Sequence, residues 1–355
     1  MIVFLRIFFY IEIGGSSDLE VNLRILICQL RNHGDIIRCF PLIDAIKAIY
    51  KDAFIGFTCF PEMIETCALC HNIDVVIAQP RFKSVTDTQD ETRVLDCSIL
   101  EDAVAEARKY NFDLYIDLHG VFQSALFGAI CGIRTRLGRS KETAKDGASL
   151  FYTVIAEVKD KELNRMERHF IITRKILKNV KPVYIQVKKK NCITIFPGSS
   201  KKGILKRWST DRYIKIANKY RDKYYVRMVL GPEESDLVRY IRNRIDIDIV
   251  ECNSWEKISE LISESGIVIG NDGAFVHLAV WKGIPSIMIC GPLSPVVNGI
   301  WKYGIGQTIS VPKHCICNYL WQGKCDYNHY CIDKITVADV IKAVNRLEIY
   351  LNERI

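Results

Sequence analysis

The stretch that most constrains the fold of this chain is Ser265–Pro292. Its β-branched run Ile267–Ile269 reads as a buried strand, and this run ends at the turn cluster Gly270–Gly273. A helical segment, Phe275–Trp281, follows, and Ser286–Cys290 is predicted to be the next buried strand. A strand, a glycine turn and a helix start place free backbone N–H groups at the carboxyl edge of a parallel sheet. Since open α/β sheets bind phosphorylated ligands there, this stretch predicts such a site.

Strands and helices alternate along the rest of the chain, which predicts parallel, doubly wound sheets. The predicted strands are Arg24–Leu30, Ala53–Cys59, Ile73–Ile77, Asp113–Leu118, Cys192–Phe196, Tyr225–Leu230 and Ile247–Glu251. The predicted helices are Ile36–Tyr50, Leu95–Tyr110, Val121–Cys131, 160–180, Thr210–Tyr220, Glu234–Ile245, Trp255–Glu264 and Val337–Leu351.

The length of 355 residues is too great for a typical single core, so two domains are expected. Pro182 and the lysines up to Lys190 interrupt the alternation, and we place the domain boundary there. The prediction is an N-terminal extension at 1–22, a first domain at 23–185 and a second at 186–355. The two doubly wound domains are expected to face a central cleft.

The composition excludes a disordered chain, because apolar residues make up 49% and charged residues 25%. A net charge of +8 suits phosphate ligands, acidic glycolipids or an anionic membrane surface. No block of arginine and lysine interleaved with aromatic residues occurs, so no nucleic-acid partner is predicted.

Residues 1–13 are apolar but contain Arg6 and Glu12. The stretch is shorter than the roughly 20 residues that a membrane span needs, and it lacks the basic start and cleavage site of a signal peptide. We interpret it as an added edge strand or as an extension from an upstream start codon. The alternative is a shallow membrane contact.

Most of the fourteen cysteines stand singly in apolar runs, which suits a reducing cytoplasm better than a disulfide scaffold. The C-terminal region holds four within 17 residues, and these could bind a structural zinc or be buried thiols. The residues favour neither alternative, so no metal site is predicted. The four are Cys315, Cys317, Cys325 and Cys331.

Asp35 is the first candidate for chemistry, because it follows Gly34 at a turn between a strand and a helix. A carboxylate there can accept a proton from a hydroxyl nucleophile. The residues alone favour the alternative, in which Asp35 caps the helix.

The segment Phe196–Trp208 is the second candidate, since a glycine-serine turn followed by four cations suits a diphosphate. Ser199 and backbone N–H groups could donate hydrogen bonds, while Lys206 and Arg207 could neutralise a leaving group. The spacing is not that of a Walker loop, and the alternative is a solvated basic loop. A third candidate comprises Asp272, Gly273 and His277, which could form a phosphate or sugar site or a plain tight turn.

Five motifs in this order resemble glycosyltransferase family 9, the ADP-heptose:lipopolysaccharide heptosyltransferases. The resemblance spans about residues 23–345, and its specificity comes from the order of the motifs. The motifs are Gln29–Ile36 with Pro41–Leu42, Asp117–Gly120, Pro197–Ser199 with Lys206–Trp208, Gly270–Ala279 and Cys290–Pro295.

This resemblance implies the GT-B fold, with an N-terminal acceptor domain and a C-terminal nucleotide-sugar domain. It implies an inverting, metal-independent transfer without a cofactor, from a nucleotide-diphosphate sugar such as ADP-heptose. The implied acceptor is a hydroxyl of a lipopolysaccharide core or another cell-envelope glycan. The implied place is the cytoplasm, with peripheral contact at the inner face of the inner membrane.

The resemblance also assigns roles, which reverses the preference for Asp35 as a cap: it becomes the general base. Lys206 would bind the donor diphosphate, Asp272 would lie at the donor sugar and phosphate, and Glu233 or Glu234 would suit the ribose. The remaining donor-side residues would be Ser199, Arg207, Gly273 and His277. The acceptor-side residues would be Asn32, His33, Gly34 and His119.

Two departures from the family pattern bear on specificity. Arg31–His33 replaces the usual Ser-x-Leu, which alters acceptor contacts, and Gly273–Phe275 replaces Ser-Gly-Pro, which removes a hydroxyl near the donor. The alternatives are therefore a nucleotide-sugar-binding protein without transfer activity, or another GT-B enzyme with a different donor, such as an epimerase. The retained pair Gly34–Asp35 favours transfer.

Overall fold

The computed structural model describes residues 22–82, 84–86, 93–95, 97–183, 190–311, 325 and 330–353. These residues form two compact units. The first comprises the described residues before Glu162 together with Met166–Val183, and the second comprises Glu162–Arg165 and the described residues from Lys190 onward. The predicted N-terminal extension lies, except for its last residue, outside the described residues.

The first unit is built on a six-stranded parallel sheet with the order β3-β2-β1-β6-β7-β8. A separate antiparallel pair, β4 with β5, stands outside this sheet. The strands are β1 (Arg24–Cys28), β2 (Phe54–Cys59), β3 (Val75–Ala78), β4 (Ser84–Thr86), β5 (Arg93–Leu95), β6 (Leu114–Asp117), β7 (Thr135–Arg139) and β8 (Val154–Ala156).

The helices of this unit are α1 (His33–Ile37), α2 (Phe40–Ile49), α3 (Ile64–Cys67), α4 (Glu101–Lys109), α5 (Phe122–Ile130) and α6 (Arg165–Arg174). The single helix predicted at Ile36–Tyr50 is wrong, because the chain forms two helices there and the first begins at His33. The prediction also missed β7, because its sequence Thr-Arg-Leu-Gly-Arg has no apolar run. Its arginine side chains bond to backbone carbonyl groups instead.

The second unit repeats the arrangement, with the strand order β11-β10-β9-β12-β13-β14. The strands are β9 (Cys192–Phe196), β10 (Tyr225–Leu230), β11 (Asp248–Glu251), β12 (Ile267–Asn271), β13 (Ser286–Ile289) and β14 (Gly306–Ile309). The helices are α7 (Thr210–Tyr220), α8 (Ser235–Arg242), α9 (Trp255–Ser263), α10 (Ala274–Trp281), α11 (Pro295–Asn298), α12 (Tyr330–Asp333) and α13 (Val337–Glu353).

Each sheet reverses its strand order beside its first strand, between β1 and β6 in one unit and between β9 and β12 in the other. The loops that leave such neighbouring strands diverge to opposite faces and open a crevice at their carboxyl ends, where ligands of open α/β sheets bind. The predicted doubly wound architecture is thus confirmed in both units.

The core of the second unit holds the end of the basic loop, Lys201–Trp208, in place. Trp208 is almost fully buried, stacks edge-on against Tyr213 and donates its indole N–H to the carbonyl of Ile335 at 2.8 Å. Because an indole of this size buries a large apolar area, Trp208 anchors the end of the loop against α7 and the start of α13. Within the described ranges, no helix has the length and apolar character needed to cross a membrane.

Candidate active site

Asp35 lies in the first turn of α1, one loop beyond the carboxyl end of β1. Asn32 precedes the helix with a φ of 66°, and the backbone N–H of Asp35 donates to the carbonyl of Asn32 at 2.9 Å. The cap position therefore belongs to Asn32, and the interpretation of Asp35 as a helix cap is wrong. The Asp35 carboxylate has other partners: Oδ1 is 2.7 Å from Arg38 Nη1, and Oδ2 accepts from Asn32 Nδ2 at 3.0 Å.

His169 fixes the backbone of Arg38 from the side of α6. Its Nδ1 lies 3.3 Å from the carbonyl oxygen of Arg38, and because a carbonyl only accepts, the imidazole donates. Burial, reinforced by the charge of Arg168, lowers the pKa of His169 to about 3. His169 is therefore neutral at physiological pH.

His119 follows the carboxyl end of β6 and lies beside the start of the loop that joins β1 to α1. Its Nδ1 accepts the backbone N–H of Leu30 at 3.3 Å, so the ring proton of the neutral form is on Nε2. Its carbonyl accepts from the Arg139 guanidinium, which also covers Gly120. Gly120 has a φ of 70°, and an added Cβ would collide with Arg139, so the loop needs glycine for two reasons.

A fully buried carboxylate, Asp117, shapes the same loop. Its Oδ1 accepts the backbone N–H groups of His119 and Gly120 at 2.9 and 2.8 Å. Its Oδ2 accepts the hydroxyls of Ser124 and Tyr152 at 2.7 and 2.8 Å. Burial raises the pKa of Asp117, while these hydrogen bonds act against the rise. Sequence reasoning quoted Asp117 as part of a motif but gave it no role.

The remaining acceptor-side candidates lie on α1. The imidazole Nδ1 of His33 is 2.6 Å from the hydroxyl of Thr66 on α3, and burial lowers the pKa of His33. The carbonyl of Gly34 accepts the backbone N–H of Arg38 at 3.1 Å. The structure thus brings Asn32 and Asp35 together and directs His33 towards α3.

In the second unit, Lys206 comes together with Asp272 and His277, although Lys206 lies 66 positions before Asp272 in the sequence. Lys206 Nζ is 3.4 Å from Asp272 Oδ2 and 3.5 Å from the Asp272 carbonyl oxygen. His277 Nε2 lies 3.7 Å from Asp272 Oδ1. Asp272 and His277 are buried, with exposed fractions of 5% and 1%, so the Asp272 carboxylate pairs with the Lys206 ammonium where water has little access. Gly273 lies just before α10, and its carbonyl accepts the N–H of His277.

A second group forms around the glycine-serine turn after β9. Arg207 Nε donates to Ser199 Oγ at 3.0 Å, and its Nη2 donates to the Ser199 carbonyl. The same guanidinium lies 3.8 Å from Glu234 Oε1. Glu234 Oε2 accepts the backbone N–H of Gly231 at 2.8 Å. The carboxylate next to the turn is thus that of Glu234, while the side chain of Glu233 lies outside the described part of the structure.

Sequence reasoning missed the role of Asn271, the last residue of β12. Its Oδ1 accepts the N–H of Trp208 and the hydroxyl of Tyr213, both at 2.9 Å. Its Nδ2 donates to the carbonyls of Pro197 and Gly198, both at 3.0 Å. One buried amide therefore joins the glycine-serine turn to the basic loop and α7. The only signal in the sequence was its place directly before Asp272.

Cys315 and Cys317 lie outside the described residues, whereas Cys331 is buried on α12 and Cys325 is half-buried. The zinc site and the buried thiols both stay predictions.

Part of the chain matches a model of a known protein family. Residues 173–326 match the model described as glycosyltransferase family 9 (heptosyltransferase). The predicted resemblance to family 9 is confirmed. The matched residues contain the glycine-serine turn, the basic loop and the Asp272 group, which are the donor-side candidates of the second unit.

Individual proteins are similar to this chain over most of its length. A protein named lipopolysaccharide heptosyltransferase 1, from Campylobacter coli, is 25% identical over 358 residues, or 92% of this chain and 99% of the relative. A family 9 glycosyl transferase from Veillonella parvula has a similar structure, with a TM-score of 0.73 and 16% identity, covering 95% of this chain and 100% of that one. The structure of E. coli heptosyltransferase WaaC with ADP gives a TM-score of 0.70 at 15% identity, covering 92% and 100%. These similarities confirm the GT-B fold class.

Proposed function

We propose that this chain is an inverting heptosyltransferase that moves heptose from ADP-heptose to a hydroxyl of a lipopolysaccharide core or a related cell-envelope glycan. The observation that supports transfer most directly is the Asp35 carboxylate, held by Arg38 and Asn32 beyond the carboxyl end of β1. A protein that only bound a nucleotide sugar would not need a carboxylate fixed in this way.

The donor-side proposal rests on charge and on hydrogen-bond donors. Lys206 and Arg207 bind the diphosphate, and Ser199 with the backbone N–H groups of its turn adds neutral donors. Asp272 holds Lys206 and, with Gly273 and His277, contacts the donor sugar and phosphate. Glu234, whose carboxylate lies next to the Gly198–Ser199 turn, accepts hydrogen bonds from the ribose hydroxyls. Glu233 is the alternative ribose residue.

The acceptor-side proposal assigns Asp35 as the general base, with Asn32, His33, Gly34 and His119 contacting the acceptor. His119 donates through Nε2–H, because Leu30 occupies Nδ1. In the step itself, the acceptor oxygen attacks the anomeric carbon while Asp35 takes its proton. The bond from that carbon to the diphosphate oxygen breaks, the configuration inverts, and ADP leaves.

The fixed cations Lys206 and Arg207 neutralise the charge that develops on the leaving diphosphate. We therefore expect transfer to continue in the presence of a chelator such as EDTA. Because the proposed acceptor is a glycolipid, the enzyme acts peripherally at the cytoplasmic face of the inner membrane. Retention of the purified chain on vesicles that contain the acceptor tests this last point.

The deciding experiment measures ADP release from ADP-heptose with a lipopolysaccharide core acceptor that lacks heptose, for the wild-type chain and for Asp35→Asn. We expect steady release that requires both substrates and that falls by about 10²- to 10⁴-fold in the variant, since this is the usual contribution of a general base. Calorimetry should show that both proteins bind ADP equally. A wild-type chain that binds ADP but releases none with any acceptor would be a binding protein, and the proposal would be wrong.

A further inference from the structure

We infer that Arg38 is a positioning residue that orients Asp35 for proton transfer, a role that rests on the proposed function. The guanidinium Nη1 lies 2.7 Å from Asp35 Oδ1, and the two side chains are only 8% and 12% exposed. Arginine is charged at every working pH, and its planar group holds a carboxylate in one orientation better than a flexible ammonium does.

Arg38 acts together with Asn32, which donates to the other carboxylate oxygen at 3.0 Å. The left-handed backbone of Asn32, with a φ of 66°, brings its side chain back towards the carboxylate one turn later. With a donor on each oxygen, the carboxylate cannot rotate without losing a hydrogen bond. A carboxylate has about four lone-pair sites, so accepting these two hydrogen bonds does not exhaust its capacity as an acceptor.

The backbone of Arg38 is itself held on two sides. Its N–H donates to the Gly34 carbonyl at 3.1 Å, and its carbonyl accepts from His169 on α6. Arg38 is 7% exposed as a whole residue, so its side chain has little room for another rotamer. Asp35 is therefore connected through Arg38 to the packed interior of the first unit.

A purely structural ion pair is the alternative, and energetics argue against it. Pairs of this kind on exposed surfaces contribute little to stability, and burying one costs desolvation that its attraction often fails to repay. A buried ion pair between Asp35 in α1 and Arg38, the residue that follows this short helix, is thus poorly explained by stability. Orientation of a reacting group does explain it, because a misplacement of about 1 Å can cost a hundredfold in rate.

A double-mutant cycle separates the two roles. The variants are Arg38→Met, which keeps most of the apolar stem, Asp35→Asn, and the combination of both. Arg136→Met is the matched control, since Arg136 is a half-buried arginine of the same unit that bonds to the backbone carbonyls of Ile133 and Phe151. The measurements are kcat for transfer at saturating acceptor, Kd for ADP, and the melting temperature.

If Arg38 works through Asp35, Arg38→Met lowers kcat by about ten- to a hundredfold and leaves the affinity for ADP unchanged. In the Asp35→Asn background, adding Arg38→Met should lower kcat no further. Arg38→Lys should restore part of the rate, and Arg136→Met should keep it. An equal further loss in both backgrounds, an unchanged kcat in Arg38→Met, or equal losses in the lysine and methionine variants would overturn the inference. If Arg38→Met fails to fold, the same cycle with Arg38→Lys decides. A wild-type chain without transfer would instead overturn the proposed function, and the inference with it.

Discussion

The carboxylate of Glu234 lies directly against the backbone of Gly198, so close that a Cβ added to Gly198 would fall well inside its van der Waals contact distance. The two residues belong to the loops that follow the neighbouring strands β10 and β9. Glu234 also accepts the N–H of Gly231 and lies near Arg207. The absence of a side chain at Gly198 thus allows the Glu234 carboxylate and the Arg207 guanidinium to lie together beside the glycine-serine turn.

Gly198→Ala tests this relationship. The new methyl group must displace Glu234, which breaks its bond to Gly231 and its pairing with Arg207. We expect the affinity for ADP to fall about tenfold or more, because a hydrogen bond to a charged group contributes roughly 1.5–3 kcal/mol. Calorimetric titration with ADP measures the change.

Gly203→Ala is the matched control for this prediction, because it lies in the same loop and an added Cβ there meets only ordinary contacts of 3.4 Å or more. It should bind ADP as the wild type does. Equal affinity of all three proteins would show that Glu234 and the Gly198 turn take no part in donor binding.

Lys206→Met should weaken ADP binding and slow transfer together. A cation that pairs with a diphosphate acts in the bound donor and in the transition state alike, so both quantities depend on it. The exposed Lys219 on α7 provides the control Lys219→Met, which removes the same charge outside the site. Calorimetry and the ADP-release assay measure the two effects, and a Lys206 variant with wild-type ADP affinity would contradict the assignment.

Asn271→Asp should destabilise the second unit. The substitution keeps the acceptor for Trp208 and Tyr213 but replaces the amide donor by an oxygen that faces the carbonyls of Pro197 and Gly198. Each buried carbonyl left unsatisfied costs about 1–3 kcal/mol, so the free energy of unfolding should fall by several kcal/mol at most. Denaturant titration measures it, and an unchanged midpoint would show that water replaces the amide without cost.

His169 should make the protein sensitive to acid. Its pKa is about 3 in the folded chain against an ordinary value of 6.5, so between these values the unfolded chain binds more protons than the native one. The contribution of His169 to the free energy of unfolding therefore falls as the pH falls below 6.5. Between pH 7 and pH 5 this loss amounts to about 2 kcal/mol.

Urea titrations at several pH values measure this slope. In His169→Gln the group no longer titrates, so the dependence between pH 7 and 5 should flatten. His71→Gln, which replaces an exposed histidine of the same unit, should leave the slope as it is. A variant of His169 with the wild-type slope would show that other groups cause the acid sensitivity.

Local pattern was enough to predict most of the fold. The strands β9 and β12 are runs of β-branched and apolar residues that stop at glycine turns, and such runs are typical of buried parallel strands. The same reasoning missed β7 and β14, whose arginine, glycine, glutamine and threonine residues give no apolar run. Those strands form because a neighbouring strand offers its backbone hydrogen bonds, which is a tertiary cause.

The sequence by itself determined the alternation of strands and helices and the glycine turns, because each depends on residues close together in the chain. It also determined the resemblance to family 9, because the motifs and their order are properties of the sequence alone. It could not decide which residue caps α1, because Asn32 and Asp35 are both good caps and only the folded loop assigns the position. Nor could it bring Lys206 to Asp272 or Asn271 to the Gly198 turn, since these contacts join residues more than sixty positions apart. Only tertiary packing sets such distances, because the local conformational preferences of the chain do not depend on which distant residues the folded sheet brings into contact.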